Sequence, residues 1–176
     1  MKLTVAFGAR SLSASVSSQS HMNCLIYVSR RDQGTAAIAE RMEGPLDELS
    51  GLLSKDYGGS LANLWIEVEL SPVVPDLRPP WSFRFQKAVS PPKTLRAFGM
   101  GTALNVGHYN IRPDYFELAK VPSEDVVCYL LCKLYESTQV LEQKSKRLGG
   151  FKVEAFRADF LAAVRALGCE PLRNAS

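Results

Sequence analysis

No single charge dominates this chain. Its 21 Lys and Arg stand against 18 Asp and Glu, a formal net charge of +3. That is short of the basic stripe a dedicated nucleic-acid binder carries, and there is no like-charge tail. No segment approaches the ~20 apolar residues needed to cross a bilayer. The apolar run from Leu3 to Ala9 stops at Arg10, too early for a secretory core, so the opening reads as a strand over 2–7 and a serine-rich loop. Histidine is scarce: His21 and His108 are the whole supply, and neither sits in a metal-ligand motif. Cys24, Cys128, Cys132 and Cys169 repeat no spacing, and a chain of 176 residues is long enough to fold without disulfide staples. They read as reduced thiols in a cytoplasmic protein. There is no G-x-S-x-G turn. Gly99, Gly101 and Gly107 are followed by β-type residues instead of a helix start, so they read as a turn and not a phosphate cradle. These absences argue against nucleic acid, membrane, metal and cofactor, and leave no reaction motif.

What is present is an ordinary soluble composition, 46% hydrophobic and 22% charged, consistent with one domain over 1–176. "CLIYVSR" (24–30) reads as a strand, followed by a turn at "RDQG". Residues 35–42 fit either a helix or a returning strand. In "GPLDELSGLLSKDYGG" Pro45 suits a first helical turn, the leucines recur at helical spacing, and Gly58-Gly59 marks the stop. The period then changes to two. In "NLWIEVELS", Leu64, Ile66 and Val68 alternate with Trp65, Glu67 and Glu69. In "WSFRFQKAV", Trp81, Phe83 and Phe85 alternate with Ser82, Arg84 and Gln86, which places the aromatics in the core and Arg84 within reach of Glu67 or Glu69. A weaker strand covers 103–111. The last third is helical: a long helix capped by Ser123 and ended by Gly149-Gly150, then one with Phe156, Phe160, Val164 and Leu167 inward. Strands early and helices late predict an α+β fold, a largely antiparallel sheet with C-terminal helices packed on one face.

The candidate chemistry is diffuse. Cys128 and Cys132 share a helix face, but a zinc site needs more ligands, so core packing is the reading. Cys24 and His108 could pair only if the fold brought them together. Glu67 and Glu69, at i and i+2, share a strand face and fit solvated carboxylates, an acidic patch for a partner, or an acid–base pair. "VGHYNIRPDYFE" (106–117) gathers His108, Tyr109, Asn110, Arg112, Asp114 and Tyr115 in one stretch rich in residues that interfaces favour.

"LWIEVEL", "RPPWSFRFQK" and "NVGHYNIRPDYF" on one small α+β chain resemble the immunity proteins that bacteria encode beside polymorphic or type VI secreted toxins. The resemblance implies a non-enzymatic inhibitor that binds a cognate protein toxin and blocks its active site or substrate entry. The expected contacts are Glu67, Glu69, Arg84, Tyr109, Arg112, Asp114 and Tyr115. Two alternatives remain: a small hydrolase or transferase with a pocket near His108 and Asp114, and a secretion adaptor or chaperone.

Overall fold

Strand β1, Asn23–Arg30, and the helix after it, α1, Ala36–Leu53, are fixed by one shared set of apolar positions. Cys24, Ile26 and Val28 alternate along β1, and Ala39, Met42, Leu46, Leu49 and Leu53 form one stripe on α1; all belong to the same core. This computed structural model describes residues 21–30, 34–70, 81–90, 103–113, 115–144 and 148–170. The strand and serine-rich loop expected before residue 21 lie outside them. Residues 36–42 are helix, so the ambiguity there resolves towards α1. Pro45 sits inside α1 and not in its first turn. An interior proline costs ~3 kcal/mol of helix propensity; the buried stripe runs on either side of it and offsets that cost. α1 ends at Leu53, ahead of Gly58 and Gly59, which serve the loop beyond it with positive φ.

Strand β2, Asn63–Glu69, pairs parallel with β1. Strand β3, Trp81–Val89, and strand β4, Ala103–Ile111, form an antiparallel pair, and β4 also lies parallel to β2. The order across the sheet is β1-β2-β4-β3. The α+β class is as expected, but the sheet is mostly parallel, not largely antiparallel. The reason is the 18-residue helix between β1 and β2, the kind of long crossover that parallel neighbours require.

The C-terminal helices pack on one face of the sheet, as expected. After a short helix α2, Tyr115–Leu118, and a 3-10 turn at Ser123–Asp125, come α3, Val126–Ser137, α4, Gln139–Lys144, and α5, Val153–Ala166. The N-cap position of α3 is held by Asp125, which makes no side-chain cap, and not by Ser123; the Ser123 hydroxyl accepts a hydrogen bond from Arg41 Nη1 at 3.2 Å. The single long helix is broken at Thr138. Ser137 Oγ bonds Leu134 O and Thr138 Oγ1 bonds Tyr135 O, both at 2.6 Å, so side-chain hydroxyls take carbonyls of the last turn. Buried Leu130, Leu131, Leu134, Leu141, Phe156, Phe160 and Val164 close the core against Leu64, Ile66, Val68 and Tyr109. Phe83 and Phe85 of β3 pack on its margin; the side chain of Trp81 lies outside the described residues.

The thiols are not all reduced. Cys128 of α3 is bonded to Cys169, just past the end of α5, while Cys24 and Cys132 are free and buried. The bond joins residues that two adjacent helices bring together, which cysteine spacing along the chain does not reveal.

Candidate functional site

Every described helix packs on one side of the sheet; among the described residues the other side is built from strand residues, and its centre is buried. Tyr27, Trp65 and Val106 form its buried apolar centre, with Leu25, Val89 and Ala103 around them. The registers set the rows. Leu25, Trp65, His108 and Arg84 lie side by side across β1, β2, β4 and β3; Tyr27, Glu67, Asn110 and Ser82 form the next row.

Two side-chain pairs bridge β2 and β4 on this face. His108 Nε2 lies 2.8 Å from Glu67 Oε2, with side chains only 24% and 17% exposed. Arg112 Nε donates to Glu69 Oε2 at 3.0 Å, and Asn110 Nδ2 approaches the same oxygen at 3.5 Å. Burial is the strongest single influence on Glu67 and by itself raises the pKa of its carboxyl. The His108 hydrogen bond, the nearby Ser29 hydroxyl, the His108 charge and the Asn110 amide together outweigh it and draw the pKa down to about 2. Glu67 is thus held as an anion. Burial, then the charge of Glu67 and the proximity of its carboxylate, push the Tyr27 phenol well above its ordinary range.

The cluster is not fully satisfied. Tyr27 Oη, Ser29 Oγ and Asn110 Oδ1 are buried without a well-formed hydrogen bond. The two hydroxyls are nonetheless close enough to Glu67 for each to act on the other's charge. Ser29 falls where the β1–β2 register shifts, between Val28 and Arg30, and so has no partner across the ladder.

Four of the expected contact residues, Glu67, Glu69, Arg84 and Arg112, share this face or its rim. Glu67 and Glu69 are not simply solvated carboxylates; each has a basic partner. Arg84 does not reach them, because β4 lies between β3 and β2 and sets Arg84 opposite His108. Tyr109 is a correction: it points to the helices, is fully buried, and donates its Oη hydrogen to Ser137 O at 2.8 Å. Burial, eased a little by that bond, pushes its phenol up to about 12. Tyr115 heads α2, but its side chain, like the whole of Asp114, lies outside the described residues. Cys24 is on the helix side, opposite His108, and burial raises its thiol far above the usual range, so the two form no nucleophilic pair.

Tyr27, Ser29 and Asn110 complete the cluster. The alternation of "CLIYVSR" with Cys24, Ile26 and Val28 inward is the signal that places Tyr27 and Ser29 on the other face. Among the described residues no three His, Cys, Asp or Glu side chains converge as metal ligands, and no helix is long and apolar enough to cross a membrane. No family model, no curated protein and no solved structure matches the chain, so any functional reading rests on this face and its chemistry.

Proposed function

We propose that this is a non-enzymatic binding protein of the immunity or inhibitor kind, and that the face of the sheet opposite the described helices receives its partner, a protein toxin. The observation that carries the reading is the gathering of Glu67, Glu69, Arg84 and Arg112, from two strands and one strand end, around a buried Trp65–Tyr27–Val106 centre. The centre itself is already buried, so the charges around it are what the face offers a partner, and their arrangement can set its register. The paired carboxylates are held in place before any partner arrives, which lowers the ordering cost of association. The exposed Arg84 extends the face towards the sheet edge.

The test is capture of a partner from the native cell by the full chain, followed by assay of that partner's own activity with and without the chain. Arg84→Glu alone, and with Glu67→Lys and Glu69→Lys, should weaken capture and restore the partner's activity. Undiminished capture by the folded triple variant overturns the assignment of this face.

A second reading, a small hydrolase or transferase, draws on the 2.8 Å contact between His108 and Glu67, which would orient the imidazole as a general base. It requires that His108→Gln abolish turnover while leaving partner capture intact.

A further inference from the structure

The rest of the chain treats the two edges of the sheet differently. We propose that the outer edge of β3 receives an extended, acidic segment of the docking protein, added to the sheet as a further strand. The inference deepens the binding reading above by giving the mode of docking, and rests on it for the source of the segment.

An edge strand turns a row of backbone N–H and C=O groups away from its neighbour, and each of them needs a partner. On β1 that row is occupied. Ser54 Oγ accepts from Cys24 N at 2.9 Å and lies 3.2 Å from Cys24 O, and Ser50 Oγ accepts from Ile26 N at 2.9 Å. Serines at the end of α1 therefore close this edge. On β3 the row is open. β3 pairs with β4 on one side, and among the described residues nothing bonds its other side. Ser82, Arg84, Gln86, Lys87 and Ala88 are all exposed. The last three are consecutive, so neither face of the strand is covered there. The strand is nine residues long, and its nearest prolines, Pro80 and Pro91, stand outside it, so none interrupts the edge.

Charge decides which strand fits. β3 carries Arg84 and Lys87 and no carboxylate. A second copy of β3 would set four cations on two adjacent strands with nothing to neutralise them, which disfavours self-pairing. An acidic segment meets the same cations with opposite sign. The alternation narrows the match further. Phe83 and Phe85 are half-buried on the helix side, and Arg84 between them faces the other way. The fitting strand alternates apolar residues, laid beside the phenylalanines, with carboxylates laid beside Arg84. Main-chain bonds supply the affinity of such an addition, and the alternate side chains supply its selectivity. Arg84 stands opposite His108 in the register, so the added strand continues the row that already crosses the proposed docking face.

The experiment is a titration of the full, isotopically labelled chain with an end-blocked octapeptide of alternating valine and glutamate, read by amide NMR and hydrogen exchange. Saturable shifts are expected along β3, with slower exchange at alternate amides between Ser82 and Val89 and no change at Cys24 or Ile26. The same peptide with its backbone nitrogens methylated, and one with lysine in place of glutamate, should not bind. Arg84→Glu combined with Lys87→Glu should weaken binding at least tenfold; circular dichroism checks that the variant is folded. The proposal is overturned if the methylated or the lysine peptide binds equally, if no saturable shift occurs on β3, or if the folded double variant binds as the wild type does. A free chain that dimerises in sedimentation with its β3 amides protected overturns it in favour of a second copy. Peptide binding at β3, with partner capture indifferent to Glu67→Lys and Glu69→Lys, keeps the edge and removes the face as the docking surface. Capture that depends on the face, without any peptide binding, removes the edge and leaves the face standing.

Discussion

Replacing Glu67 by glutamine tests the electrostatics of the face directly. The substitution keeps shape and removes charge, so packing against Tyr27 and Asn110 is preserved while the attraction of His108 is lost. The carboxyl is displaced from 4.5 to about 2 on folding. That displacement corresponds to ~3.4 kcal/mol in full, reduced to roughly 2 kcal/mol because water still reaches the edge of the side chain. The sign is fixed by the direction: a carboxylate with a depressed pKa stabilises the fold above its unfolded value, near 4.5, and this contribution fades as pH falls towards 2. Urea unfolding at pH 7, 5, 4 and 3 reads it out. The wild type should exceed Glu67→Gln by about 2 kcal/mol at pH 7, with the gap narrowing steadily below pH 5. Equal unfolding midpoints at pH 7, or a gap that stays constant down to pH 3, would refute the view that Glu67 is held as an anion by its neighbours.

Four further perturbations probe the scaffold. The bond between Cys128 and Cys169 closes a loop of sequence separation 41, so Cys169→Ser should lower stability by up to ~4 kcal/mol in urea unfolding; four alkylatable thiols in the unreduced, denatured protein would contradict the bond. A Cβ at Gly59, where φ is +77°, would lie 2.5 Å from Phe151 N and 2.8 Å from Leu148 O, so Gly59→Ala should lower the thermal midpoint markedly. Gly51→Ala, with open space at a helical position, should instead raise stability by about 0.5–1 kcal/mol. Tyr109→Phe removes the donor to Ser137 O and should destabilise by roughly 1 kcal/mol, with no effect on partner capture because the side chain faces the helices.

Local pattern made the elements legible, and distance along the chain hid their assembly. The two-residue alternation of "NLWIEVE" and "WSFRFQKAV" gave β2 and β3, and inward positions such as Leu64, Ile66 and Phe83 were right, because a strand's two faces are decided by its own residues. Which strands become neighbours is decided by non-local pairing. Arg84 looked close to Glu67, yet β4 enters between them and delivers His108 from 41 positions away. Tyr109 was misplaced by its composition: a tyrosine in a polar stretch suggests an interface, but β4 turns alternate residues inward and this is one of them. The disulfide was missed for a similar reason, since Cys128 and Cys169 meet only once α3 and α5 have packed.

The central pairing of β2 with β4 has a consequence for how the molecule assembles. β1, α1 and β2 are consecutive and contact one another, as do β3 and β4, so each group can form from local contacts before it meets the other. The junction between these two groups is the β2–β4 ladder, and the polar bridges lie across it: His108 to Glu67, Arg112 to Glu69, and Asn63 Nδ2 to Leu104 O. The polar residues of this face therefore also fasten the two groups of elements along their shared seam. In native-state hydrogen exchange, the amides of that ladder should open together, and Glu67→Gln should raise their exchange ahead of those in the β3–β4 hairpin.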